Sequence, residues 1–424
     1  MGDASSADLL RQVRLLDPLT QRDRTADVLI ASGQIRAIED RLTTLPSDID
    51  PEGLREIRRP GAILGPGLVD LYSYASEPGF EAREPVEALT RSAMLGGFTR
   101  LTLLPHTQPV VDHAAMVRQL RAIAIAAAPK LRVAVWGALT RDLAGAHLSD
   151  LAELAAAGAT GFANGPLATD MLYPALDYAQ ALGKPIALSL CRSAHPARDG
   201  AIALRLGLLS APVTDEAAPL AALLEQIEIT RTPVHLMRLS TARGVALVAQ
   251  AKARNLPVTA STTWLHLLRN ASHLTTYDPN LRVHPPLGNP ADQQALIEGI
   301  ASGTLDAIAV DHRPYTYEEK TVAFGESPPG VIGLQTALPL LWAHLVETGR
   351  LSALALWRAL SVLPAQCLQQ APPAVNLGQR TELVLFDPTE QWDVTPDTLA
   401  SPACNTPWQG TTISGRVVQV WPPN

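Results

Sequence analysis

A chain of 424 residues with 47% hydrophobic and 18% charged side chains can fill one large core and a smaller one, and it is too apolar for a disordered protein. Its formal net charge of −7, with no concentrated Lys/Arg run, excludes a nucleic-acid footprint. No apolar stretch approaches the roughly 20 residues a bilayer crossing needs, and Met1-Gly2-Asp3-Ala4-Ser5 lacks the basic and apolar regions of a secretory leader, so a cytoplasmic protein is expected.

In chain order, Val28-Leu29-Ile30, a Ser32-Gly33 turn and Ile35-Arg36-Ala37-Ile38 predict a β-hairpin. From Gly67 onward the pattern changes. Apolar runs of strand length recur at 67–71, 99–104, 132–138, 159–163, 185–190, 233–237, 257–260 and 306–310. Between them lie segments with helical spacing, such as 81–96, 148–157, 217–229, 242–253 and 291–302. The runs are continuous, not alternating, as expected of parallel strands buried on both faces. Eight such units predict an α/β fold, a closed (β/α)8 TIM barrel, over an open doubly wound sheet. No GxGxxG or GxxxxGK[ST] follows a strand, which removes the main support for nucleotide binding. Gln370-Ala371-Pro372-Pro373-Ala374 marks the exit from the barrel. Leu383–Phe386 and Gly415–Trp421 then return to strand patterning, so the two chain ends are expected to meet in one small β-sheet domain. The expected division is 1–62 and 373–424 for that domain and 63–372 for the barrel. Cys191, Cys367 and Cys404 are far apart and odd in number, which fits free thiols and excludes a cysteine-based zinc knuckle.

In a barrel of this kind the active site lies at the C-terminal ends of the strands. Those ends read Gly67-Leu68-Val69-Asp70-Leu71-Tyr72-Ser73-Tyr74-Ala75-Ser76-Glu77-Pro78-Gly79, then Leu104-Pro105-His106-Thr107, then His235-Leu236-Met237-Arg238, then Asp311-His312-Arg313-Pro314-Tyr315. With Asn405-Thr406-Pro407-Trp408-Gln409-Gly410 near the end, this order and spacing resembles dihydroorotase and its allantoinase-like relatives over nearly the whole chain. Asp70, Glu77, Pro78 and Gly79 match that family's motif after strand one, Asp-x-His-x-His-x-Arg-Glu-Pro-Gly.

The resemblance implies a binuclear zinc site that holds a hydroxide, polarises a ring amide and moves the proton with an aspartate. Zinc takes imidazole nitrogen or carboxylate oxygen at about 2 Å. Here the two strand-one histidine positions are Tyr72 and Tyr74, and the strand-four ligand position falls at Ala163 or Asn164. The strand-five position is Ser189 and the strand-six position is Arg238, which leaves only Asp311 of strand eight. Substrate positions differ as well: Ser76 replaces an arginine, His106 and His284 replace asparagines, and Tyr315 replaces a histidine. A guanidinium stays charged and repels a dication, so Arg238 is expected to pair with Asp311, now a relic, and to occupy part of the former metal volume. No metal cofactor is expected. Tyr72 and Tyr74 read as aromatic filler, and His235 and His266 as structural.

The resemblance therefore implies a catalytically silent dihydroorotase-like protein of pyrimidine biosynthesis. Some bacteria pair such a barrel with aspartate carbamoyltransferase, which makes that enzyme, or self-association, the expected partnership. Two alternatives stay open. One is an active cyclic-amide hydrolase with a metal relocated to His106, His284, His312 and Asp311; the other is a non-catalytic module that binds ureido acids at the barrel mouth. Arg238 as a substitute carboxylate clamp and Cys191 as a nucleophile are lesser candidates.

Overall fold

The computed structural model describes residues 7–423, and the Met1–Ser5 stretch lies outside them. Eight parallel strand positions form the barrel: Leu68–Tyr74, Phe98–Leu104, Arg132–Val135 continued by Gly137–Ala138, Phe162–Asn164, Ile186–Ser189, Val234–Met237, Val258–Thr263 and Ala307–Ala309. The third is not the single run 132–138 that the sequence suggests. It breaks at Trp136, whose indole N–H donates to the Leu71 carbonyl at 3.0 Å and whose ring joins the barrel interior. That interior is small and dense, with Val69, Leu71, Trp136, Ala187, Met237, Ala307 and Ala309 packed around Tyr72 and Tyr74.

Between the eighth and first strands a side chain takes the place of a full ladder. Asp70 accepts from the Val310 N–H at 2.8 Å and from the Ser73 hydroxyl at 2.6 Å, and the Tyr74 N–H donates to the His312 carbonyl at 2.9 Å. Complete burial pushes the Asp70 carboxyl up to about 7 against the pull of those two donors.

Helices cover the outside by presenting apolar residues at helical spacing. In the helix Thr214–Thr230 the buried stripe is Leu220, Leu223, Leu224 and Ile227, and in Val86–Leu95 it is Val86, Leu89 and Ala93. No helix among the described residues is long and apolar enough to cross a membrane.

The chain ends build a seven-stranded sheet. Ile63–Pro66 lies at its centre, parallel to Ala7–Asp17 and antiparallel to Leu383–Asp393, which pairs in turn with Thr412–Trp421. The hairpin from Arg22–Ala31 to Gln34–Glu39 turns on Ser32 and Gly33, with φ of 53° and 68°, the left-handed pair that matches strand twist. The Trp421 indole N–H donates to Asp8 at 2.8 Å and ties the two ends together. Sheet and barrel are joined by the buried Arg100–Glu382 pair, with two hydrogen bonds of 2.7 Å, and Arg100 also donates to the Ala371 carbonyl at the Pro-rich exit.

Candidate functional site: the barrel mouth

Two strand ends meet in one ion pair. Arg238 follows the sixth strand and Asp311 the eighth, and their side chains share two hydrogen bonds, Nε to Oδ2 at 2.8 Å and Nη2 to Oδ1 at 2.6 Å. Nη2 also donates to the Tyr74 hydroxyl at 3.1 Å, and the guanidinium carbon lies 5.2 and 5.7 Å from the Tyr72 and Tyr74 ring centres. Burial alone would weaken the Arg238 charge, but Asp311 and the tyrosine oxygens hold it above its usual range.

Behind this pair runs a chain of polar contacts. The Tyr72 hydroxyl accepts from the Arg238 backbone N–H at 3.1 Å and lies 2.8 Å from Ser261 Oγ. Ser261 Oγ is 2.8 Å from His235 Nε2, and His235 Nδ1 is 2.9 Å from Thr259 Oγ1. Burial draws His235 down to about 3 and pushes the Tyr72 phenol up, so both are neutral groups near pH 7. Tyr72 and Tyr74, expected as filler, also orient Arg238: Tyr74 accepts from its guanidinium, and Tyr72 accepts from its backbone N–H while its ring faces the guanidinium.

These residues do not fit a pair of zinc ions. A guanidinium has no lone pair to give, a neutral phenol is a poor ligand, and the one carboxylate is held by the guanidinium. The cavity bounded by Tyr74, Arg238, His266, His284, Asp311 and Arg313 has a volume of about 30 Å³. That holds a few waters at most.

Most of the remaining strand-end residues are also committed. Ala163 packs into the barrel interior, whereas Asn164 accepts from the Thr140 hydroxyl at 2.9 Å. Ser189 Oγ is buried without a protein partner. His284 Nε2 donates to the Ser193 carbonyl at 3.1 Å, and burial draws the ring down to about 4. Tyr315 donates its hydroxyl to the Pro329 carbonyl at 3.3 Å, and its backbone N–H donates to Asn405 at 3.1 Å. Asn405 donates in turn to the Arg313 carbonyl at 2.9 Å, so the closing motif pins the strand-eight loop. His266 bridges Thr263 and the Pro285 carbonyl.

His312 is a correction. Its Nδ1 accepts from the Gly333 and Leu334 N–H groups at 3.1 and 3.3 Å, which puts the proton on Nε2 facing Glu84 at 3.0 Å. Both partners are buried, and the ring is taken up by this contact. The proposed set of His106, His284, His312 and Asp311 is therefore not gathered, and among the described residues no three His, Cys, Asp or Glu side chains are grouped as a metal site. The Cys191 thiol donates to Asp215 at 3.0 Å and burial pushes its pKa up, so it is no thiolate nucleophile near neutrality. Arg238 is not a free carboxylate clamp, because Asp311 already occupies it.

Sequence reasoning passed over Arg313. This side chain lies 4.4 Å from the Tyr74 ring centre and 5.5 Å from that of Tyr315, and it borders a second cavity of about 380 Å³ lined also by Ser76, Arg83, His106 and Thr107. Its one signal in the sequence is its place between His312 and Pro314.

Among solved structures, the fold is similar to L-hydantoinase (dihydropyrimidinase) from Arthrobacter aurescens, with a TM-score of 0.82 at 20% identity over 97% of this chain and 93% of that one. It is also similar to D-hydantoinase (dihydropyrimidinase) from Thermus sp., with a TM-score of 0.77 at 20% identity over 97% and 93%. The architecture shared with them is a parallel barrel with an added β-sheet domain. In sequence, the chain is 40% identical to a "Probable dihydroorotase-like protein" from Synechocystis sp., over 96% of this chain and 98% of that protein. It is 32% identical to a "Dihydroorotase" from Pelotomaculum thermopropionicum over 97% and 98%, and a family model described as "Dihydro-orotase-like" matches residues 61–200. The chain belongs to the dihydroorotase-like family.

Proposed function

We propose that this protein is a cytoplasmic dihydroorotase homologue of pyrimidine biosynthesis that does not turn over substrate and that serves as a structural partner of aspartate carbamoyltransferase. The observation that carries the first part is the Arg238–Asp311 pair, which sets a fixed cation where the resemblance calls for bound metal and leaves room for a few waters at most. The scaffold role is the use left to a barrel whose packing and loops are intact while its chemistry is gone. Gly79 illustrates the retained framework: at φ +105° a Cβ there would meet Gln108 at 2.4 Å, so the strand-one loop still depends on glycine.

The experiment is co-purification of the full chain with aspartate carbamoyltransferase from the same organism, followed by size-exclusion chromatography with light scattering. A stoichiometric complex is the expected result, and separate elution of the two proteins at micromolar concentration would overturn the scaffold role. The name of the 32% relative favours a second reading, a working hydrolase of a cyclic amide. Metal content and ring opening decide between the two.

A further inference from the structure

Two basic side chains of the strand-eight loop have no carboxylate partner among the described residues, Arg313 and Lys320. Arg313 lies over the rings of Tyr74 and Tyr315. Lys320 ends the capped turn Tyr317–Lys320 and is buried, with Nζ 5.5 Å from the Tyr315 ring centre. Nζ donates to the Pro328 carbonyl at 2.9 Å and to the Gly330 carbonyl at 3.1 Å. Those two bonds and the bond to Cε fill three of the four positions around the nitrogen, and in a neutral amine the fourth is a lone pair. Burial, with Arg282 and Arg313 nearby, draws Lys320 down to about 7 against the pull of Asp278 and Glu319. About half of this amine is then free base at pH 7, against less than about 1% of an ordinary lysine. The other three lysines differ: Lys252 is paired with Asp306 at 2.7 Å, Lys130 is exposed and Lys184 is half-buried.

Lys320 also lines a cavity of about 890 Å³, within the size range of small-molecule sites. The cavity lies between the strand-eight loop, the turn at Pro279 and the stretch 396–409, and it shares only Tyr315 with the two cavities of the barrel mouth. Tyr315, Tyr317, Val322, Pro279, Pro396 and Pro402 give it apolar and aromatic surface. No carboxylate lines it, and Lys320 is its one amine.

We infer that this cavity is a binding site for a small aromatic aldehyde, held as an imine on Lys320. An unpaired amine in an apolar pocket is the usual arrangement for a lysine that condenses with a carbonyl group. The Nζ lone pair forms the N–C bond while the carbonyl π pair moves to oxygen. The two N–H protons then leave with that oxygen as water, and a C=N bond remains. The step is a condensation, so no oxidant, reductant or metal enters it. Once protonated, the imine keeps one N–H for one of the two backbone carbonyls. The aromatic ring of the ligand packs against the tyrosines and prolines of the wall. The site is independent of the scaffold reading, since it stands or falls whether or not a carbamoyltransferase binds.

The test is to incubate the full chain with benzaldehyde, trap imines with cyanoborohydride and map the benzylated lysines by peptide mass spectrometry. At pH 7 Lys320 is expected to be labelled saturably and at least about tenfold faster than Lys130. The ratio of the two rates should fall as pH rises from 7 to 10, because the exposed amine gains free base and Lys320 has little left to gain. Acetaldehyde, which lacks the ring, is expected to label Lys320 about tenfold or more less effectively. Benzyl alcohol should protect Lys320 at least as well as benzoate does. Equal rates at Lys320 and Lys130, a ratio that does not change with pH, equal labelling by acetaldehyde, or labelling of Lys320 only after denaturation would each overturn the assignment. Stronger protection by benzoate than by benzyl alcohol would overturn it in favour of an anion site. Lys320→Arg keeps N–H donors for the two carbonyls and cannot condense, so the fast-labelled site should vanish while the thermal transition stays in place. The wild-type mapping decides the matter even if that variant fails to fold, and an undiminished fast site in the folded variant would contradict the role of Lys320.

Discussion

Arg238 and Asp311 face each other across the barrel mouth through two hydrogen bonds, and each reaches that position from a left-handed backbone, with φ of 57° and 53°. Such φ values are uncommon outside glycine and cost about 1 kcal/mol or more apiece. The surrounding structure holds both residues there, which marks the pair as a fixed element of the mouth.

Breaking that pair from one side should be costly. The side chains are 7% and 17% exposed, so removing one leaves its partner largely desolvated and alone. Arg238→Met is expected to lower unfolding stability by about 3 kcal/mol, and the double variant Arg238→Met/Asp311→Leu to lose less than the single one. Urea unfolding of the four proteins of this cycle checks it. Additive losses would mean that the two residues do not depend on each other.

The Tyr72 hydroxyl has a narrower role. It accepts from the Arg238 backbone and bonds to Ser261, all in the buried interior. Tyr72→Phe keeps the ring and removes these bonds, so a loss of about 1–3 kcal/mol is expected. A change within measurement error would reduce the residue to packing.

His266 gives a pH dependence with a definite sign. Its Nε2 donates to the Pro285 carbonyl, so Nδ1 accepts from Thr263, and burial draws the ring down to about 4. A histidine depressed below its unfolded value near 6.5 stabilises fully above that value, and the contribution is lost as pH falls toward 4. Between pH 6.5 and 5.5 the loss is about 1 kcal/mol. Asp70, raised to about 7, acts in the opposite sense, since its contribution fades as pH rises through that value. In the difference between wild type and His266→Gln the Asp70 contribution cancels. Urea midpoints of the two proteins should therefore converge by about 1 kcal/mol over that pH step, and parallel curves would contradict the assignment.

The barrel was legible in the sequence because its strands are short continuous apolar runs separated by helical stripes, a pattern set by burial on both faces. The break at Trp136 was not, because an indole reaching the Leu71 carbonyl depends on a neighbour 65 positions away. In the site, the identities of Tyr72, Tyr74, Ser189 and Arg238 could be read from motif positions, and the Arg238–Asp311 pairing followed from opposite charges at two positions that the resemblance puts in one site. His312 could not be placed that way: its ring is set by Glu84 and by the Gly333 and Leu334 amides, partners that no local pattern announces. Arg313 was missed for the complementary reason. A cation is unmatched only when every carboxylate around it has another partner, and that is a property of the folded mouth.

The most direct measurement is the metal content of the full-length protein, purified without chelator and with zinc supplied during expression, alongside an assay of dihydroorotate ring opening. Expected are well under one zinc per chain and no ring opening above the uncatalysed rate, with neither changed by added zinc. One or more zinc ions per chain together with turnover that a chelator abolishes would contradict the central claim that the Arg238–Asp311 pair has replaced the catalytic metal.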